Sequence, residues 1–282
     1  MRILKIILMV LLIILIADII YIISNFGKKG IISDSIVEVK LEGVILDEDE
    51  FINTLKRYKK SDKVKGFIIS IDSPGGMIGP TQKIYRFLNS LKMPVYAVMD
   101  SVAASGGYYV AAATDKIYAL PGTITGSIGV ILQLSNFKEL LDNIGIDFIS
   151  VKSGKFKDIG SPYREVSEEE VKILQDTIDN LYNQFLRDIK KGRKKIDNET
   201  LLKYADGRVF TGEKAYKLGF VDKLGTVNEA FEDMKKELDD PSLKLFTHEK
   251  PEKFIEKVLG ILPFEIKNLL HPEGFYYLYN TY

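Results

Sequence analysis

The 282-residue sequence contains no cysteine and no tryptophan, and its two histidines, His248 and His271, both lie beyond residue 240. Without cysteine there is no disulfide framework, no thiolate nucleophile, no Cys-ligated zinc or iron–sulfur centre and no thiol for lipidation. The absence suits either side of a membrane, so it leaves the compartment open. A histidine base within the main body is excluded in the same way. An excess of charge is missing too: 39 Lys and Arg balance 39 Asp and Glu. That removes the electrostatic footprint of a nucleic-acid binder. What is present, 46% hydrophobic and 28% charged residues, describes one substantial domain with appendages.

Residues Ile6–Ile23 form a nearly unbroken apolar run, interrupted by Asp18 and preceded by Arg2 and Lys5. The run approaches the roughly 20 residues that span a bilayer core. A removed signal peptide is the rival, but no small-x-small cleavage pattern precedes Gly27. Residues 1–29 are therefore expected to be an uncleaved membrane anchor. Arg2 and Lys5 on one side against Lys28 and Lys29 on the other leave its orientation undecided by charge.

Residues 30–240 alternate short β-branched runs with helical patterns, which predicts an α/β fold with a mixed, mostly parallel sheet and flanking helices. Strands are expected at Ile36–Leu41, Gly66–Ile71, Val95–Met99, Lys116–Ala119 and Asp147–Val151. Helices are expected at Asp47–Lys59, Gly79–Leu91, Ser105–Ala113 and Phe137–Asn143. Ser167 and Glu170 predict a capping box, opening a helix that ends near Lys191–Gly192. Val171, Leu174, Ile178, Leu181, Phe185 and Ile189 would give this helix one continuous buried face. The basic run that closes it reads as a solvated helix end. Residues 241–282 read as an amphipathic and aromatic tail, with a short helix at 254–262 and the string GFYYLYNTY. Such a tail can pack on its own domain, lie on a membrane or dock on a neighbouring subunit.

Two glycine-rich turns, DSPGG at 72–76 and AASGG at 103–107, each follow a predicted strand, and in open α/β sheets such turns face the ligand crevice. Glycine lets backbone N–H groups approach and aim at a ligand, as an oxyanion hole requires. Ser105 is flanked only by Ala and Gly, which leaves its hydroxyl unshielded, and the Gly106 N–H would lie beside an oxygen on the attacked carbon. The same small residues also suit tight packing. A serine nucleophile lacking histidine needs a neutral lysine as base. Lys152, Lys155 and Lys157 are the candidates near a strand end, and spacing does not choose among them.

Taken together, DSPGG, DSVAASGGYYVA at 101–112, TGSIGV at 125–130, SGKFKDIGSPYRE at 153–165 and DGRVFTGEKAYKLGFVDKLG at 206–225 resemble the signal peptide peptidase A family in its short form. That family sits in the Clp-protease and crotonase-like superfamily. The resemblance implies Ser105 as nucleophile, Lys157 as general base and Ser127 as the residue orienting it, with Gly75, Gly76 and Gly106 in the oxyanion region. It further implies acyl-enzyme hydrolysis of cleaved signal peptides and other apolar peptides, with no cofactor and no metal. A membrane anchor, an extracytoplasmic body and a ring-shaped homo-oligomer are implied as well. Three alternatives carry distinct expectations. A crotonase-like acyl-CoA enzyme needs acidic groups at the turns, a silent scaffold needs no nucleophile, and a Ser-His-Asp protease needs His248 or His271 folded back over the site.

Overall fold

The computed structural model describes Met9, residues 31–249 and the backbone of residues 275–278. The anchor expected at 1–29, apart from Met9, and the helix expected at 254–262 lie outside the described residues. No helix among the described residues is long and apolar enough to cross a membrane.

The chain opens with β1 (Ser35–Glu42), α1 (Asp49–Lys59), β2 (Val64–Ser73) and β3 (Gly75–Met77), followed by α2 (Ile78–Asn89) and β4 (Val95–Ala104). Then come α3 (Gly106–Ala111), β5 (Lys116–Ala119), β6 (Ile124–Gly126), β7 (Ile131–Leu132) and α4 (Lys138–Asn143). The long α5 (Glu168–Gly192), α6 (Asn198–Tyr204), β8 (Val209–Thr211), α7 (Gly212–Leu218), β9 (Lys223–Leu224), α8 (Val227–Glu237) and β10 (Lys244–Thr247) complete the body. A last strand, β11 (Phe275–Leu278), follows.

The main sheet runs β10-β1-β2-β4-β5-β9, all parallel. The far half of β4 changes partner: Val102, Ala103 and Ala104 pair with β6, which pairs antiparallel with β8. Because β10 belongs to this sheet, the folded body continues past residue 240 to residue 247.

Alternation along the strands explains the two-sided burial. Val37, Phe67, Ile69 and Ala97 face one core with Leu55, Ile84 and Phe185, while Ile36, Ile68, Tyr96 and Val98 face a second core with Ala230 and Met234 of α8. Successive strand residues point to opposite faces, and both are covered by helices, so the strands read as continuous apolar runs.

The structure departs from expectation at three places. Residues 147–151 form no strand, and Phe148, Ile149 and Val151 are exposed. They belong to an arm, residues 133–165, held by its own contacts: Phe137 N–H donates to Pro162 O at 2.7 Å, and Phe148 stacks on Tyr163 with ring centroids 4.0 Å apart. The buried apolar residues of α5 are confined to its C-terminal half, where Phe185 and Ile189 are buried while Val171 is 52% exposed. The apolar residues of its N-terminal half, Val171 and Ile173 among them, are exposed. Finally, the basic end of α5 is not wholly solvated, because Arg193 is buried, pairs with Asp222 and donates to Thr114 O. The Ser167–Glu170 capping box is present.

Candidate active site

Strand β4 delivers Ser105 to the mouth of α3, at the carboxyl end of the sheet. Ser105 adopts φ 51° and ψ −114°, a positive φ that an L side chain rarely takes. Two backbone hydrogen bonds hold it there: Ser105 N–H donates to Gly126 O at 2.8 Å, and Tyr109 N–H donates to Ser105 O at 2.9 Å. A strained strand-to-helix turn that aims a serine hydroxyl is the geometry of a nucleophile elbow. Ser105 is 1% exposed, so its hydroxyl is not left open as its small neighbours predict.

The first glycine turn lies against the second. A Cβ placed on Gly106 would stand 3.1 Å from Gly75 Cα, 3.1 Å from Gly76 N and 3.1 Å from Thr81 Oγ1. One placed on Gly107 would stand 2.6 Å from Ser73 O. Only glycines allow this approach, and it gathers Gly75, Gly76 and Gly106 beside Ser105. The Gly106 N–H opens α3 and has no intrahelical acceptor, which suits it to donate to an oxyanion.

Side chains that the sequence did not single out fasten the two turns. Ser73 Oγ donates to Gly43 O at 2.6 Å and accepts from Gly75 N–H at 3.1 Å. Asp72 Oδ1 accepts from Val102 N–H at 2.9 Å, tying the end of β2 to β4. The buried Thr81 Oγ1 donates to Met77 O at 2.7 Å. For Asp72 and Ser73 the signal was the DSPGG motif itself, which carries small polar residues where a turn must be pinned; Thr81, early in α2, left none.

Ser127, buried at φ 48°, follows Gly126, and its N–H donates to Arg208 O at 2.8 Å. Since Gly126 O accepts from Ser105 N–H, Ser127 is one residue from the nucleophile's backbone anchor. Lys157 is placed differently. It is exposed in the arm, its N–H bonded to Gly154 O at 3.1 Å, and no contact with Ser105 is present among the described residues. Lys152 pairs with Asp158 and Lys155 with Glu169, so of the three candidate lysines Lys157 alone shows no carboxylate partner among the described residues. His248 Nδ1 is hydrogen-bonded to Tyr58 OH at 3.0 Å, and the His248 backbone N–H donates to Glu38 O at 2.9 Å. His271 lies outside the described residues.

Arg164 anchors the Lys157 segment to the start of α5. Its Nε donates to Asp158 Oδ2 at 3.0 Å and its Nη1 to Glu170 Oε2 at 2.8 Å. The guanidinium beside Asp158, with Lys152, holds that carboxyl well below the usual range. Hydrogen bonds from Arg164 and the Ser167 N–H bring Glu170 down to about 2.

Comparison with known proteins bears on the family. The model of peptidase family S49 matches residues 88–240, and the Clp protease model matches residues 33–125. A protein of Enterococcus faecium named as a signal peptide peptidase SppA is 35% identical over 226 residues, covering 74% of this chain and 65% of that protein. A protein of Synechocystis named as a protease is 42% identical over 202 residues, covering 70% of this chain and 73% of that one. Among solved structures, the 1510-N membrane-bound stomatin-specific protease S97A mutant superposes with a TM-score of 0.52 at 15% identity, covering 78% of this chain and 99% of that one. That likeness concerns the fold. With Ser105 held in a strained turn between paired glycine loops, the chain belongs to peptidase family S49, serine-type peptidases with a Clp-protease-like fold.

Proposed function

We propose that the chain is a membrane-anchored serine endopeptidase that cleaves remnant signal peptides and other apolar peptides through an acyl-enzyme on Ser105. The observation that carries this reading is the strained Ser105 turn packed against Gly75, Gly76 and Gly106. Ser105 Oγ attacks the peptide carbonyl, Lys157 Nζ takes the hydroxyl proton, and the developing oxyanion is met by backbone N–H groups of the two glycine turns. Lys157 then returns the proton to the leaving amine and activates a water that releases the acyl group. Ser127 orients the lysine.

A lysine serves as a base only in its neutral form, and desolvation favours that form. Lys157 lies on an arm with Leu140, Ile144, Ile149 and Val151 all exposed, an apolar surface that suits contact with further copies of the chain. Ring assembly is the step that desolvates Lys157 and completes the dyad. The apolar run at 6–23 supports an anchor, and the family resemblance supports a body on the extracytoplasmic side.

The test is hydrolysis of a short apolar fluorogenic peptide by the detergent-solubilised full chain and by Ser105→Ala and Lys157→Ala variants, with fluorophosphonate labelling alongside. Activity should fall at least about 1,000-fold in both variants, and labelling should vanish in Ser105→Ala. A folded parent that neither labels nor hydrolyses would favour a silent scaffold. Full activity in Lys157→Ala would give the base to another group.

A further inference from the structure

Six cations and one acid, Asp62, occupy residues 56–65, KRYKKSDKVK, although the chain as a whole is neutral. Helix α1 is the crossover between the parallel strands β1 and β2, so it returns the chain to the amino edge of the sheet, away from the Ser105 turn. Helix α2 does the same between β2 and β4 and brings Phe87 alongside. Lys56 Nζ stands 6.0 Å and Lys59 Nζ 5.9 Å from the centroid of the Phe87 ring. With Arg57 and Lys60 they line a pocket of about 550 Å³. The helix dipole accounts for cations in a last turn, but not for two of them converging on one aromatic ring. Lys56, Lys59 and Lys60 are exposed and have no carboxylate partner among the described residues. Asp34, the acid at the start of β1, is already engaged by Lys63 and Lys65 at 3.4 and 3.3 Å.

The same edge is where the chain enters the body. Ile31 packs against the core, and Ser35 N–H donates to Lys63 O at 2.8 Å. Ile31 follows Ile23, the end of the apolar run, by eight residues, a tether of at most about 28 Å. A cationic face held that close to a bilayer meets its surface at high effective concentration. Anionic headgroups attract Lys and Arg within about a Debye length, some 8 Å, and an aromatic ring beneath the ammonium groups offers apolar contact at the interface. We propose that Lys56, Lys59 and Lys60, gathered around Phe87, are a docking surface for the anionic phospholipid headgroups of the membrane that residues 6–23 enter. This rests on the anchor reading and not on the peptidase chemistry.

The test is pulsed lysine acetylation, read by mass spectrometry, of the full chain reconstituted in nanodiscs of phosphatidylcholine or of an equal mixture with phosphatidylglycerol. Lys56, Lys59, Lys60 and Lys92, the last in the exposed turn before β4, should label roughly fivefold more slowly in the mixed discs. Lys203 and Lys214, on α6 and α7, should label alike in both. In the triple variant Lys56→Gln, Lys59→Gln, Lys60→Gln, Lys92 should lose its protection. Replacing Lys172, Lys203 and Lys214 by Gln, the same loss of charge elsewhere, should leave that protection in place. Equal labelling of the parent in both discs overturns the proposal, as does protection of Lys92 that survives the triple change, since the tether alone would then account for it. Protection by inorganic phosphate in phosphatidylcholine discs also overturns it, making the pocket a site for soluble phosphate. A chain that does not co-elute with phosphatidylcholine discs removes the anchor reading by itself. Protection on adding mixed-lipid vesicles to that chain would still uphold the docking surface, and its absence there would remove both.

Discussion

Ser105 occupies a backbone conformation that costs on the order of 1–3 kcal/mol for a residue with a side chain, and the surrounding contacts hold it there. Gly126 O on one side, Tyr109 N–H on the other and the Gly75–Gly76 wall leave the turn no relaxed alternative. If the strain is stored in the fold, removing the Cβ should release it. Ser105→Gly is therefore expected to be more stable than Ser105→Ala by about 1 kcal/mol, after allowing for glycine's greater unfolded-state freedom. Both variants should be inactive, and urea unfolding of the two side by side measures the difference. Equal midpoints would show that the positive φ costs nothing in this context. The serine and its glycines were legible in the sequence because a close backbone approach restricts residue type so severely. Thr81 was not, since a small polar residue early in a helix looks the same whether it pins a loop or meets solvent.

The arm and the start of α5 are joined through Arg164, which bonds Asp158 at one end of the guanidinium and Glu170 at the other. Both carboxyls are held below their ordinary values, Glu170 at about 2. A depressed carboxylate contributes stability above its unfolded value, about 4, and loses that contribution as pH falls through the folded value. Hydrogen exchange in residues 153–170, corrected for intrinsic rates, should therefore rise as pH is lowered from about 4.5 to 2 while the β1–β2 core stays protected. Arg164→Gln should show the faster exchange already at neutral pH, with a flatter dependence below it. An arm unaffected by acid would mean that its ring stack and turns suffice. Long apolar strands and the capped start of α5 were readable because alternation and capping are local. Residues 147–151 and the outer half of α5 were misread for one shared reason: apolar periodicity reports which residues seek burial, not whether their own domain supplies it. Strands of two or three residues, such as β7 and β9, are too short to leave a pattern.

On the arm that carries Lys157, the lysine the proposed mechanism needs desolvated, Ile149 is 88% and Val151 98% exposed. Large exposed apolar surfaces mark interaction sites, and neither α5 nor the main sheet covers these side chains. Self-association through the arm would bury the patch and remove water from Lys157 in one step, making activity a property of the assembly. Replacing Ile149 and Val151 together by Asp places charges where the contact needs apolar surface. The double variant should sediment as a smaller species and lose peptide hydrolysis at least about 100-fold. Its Ser105 turn, more than forty residues away in sequence, should remain intact by circular dichroism and thermal midpoint. A monomeric double variant with full activity would break the link between assembly and chemistry and require Lys157 to reach Ser105 within one chain. An assembled but inactive one would place the two charges in the path of the substrate instead. Expected is the joint loss, recovered together when Ile149 and Val151 are replaced by Leu, which restores apolar area without the original shapes.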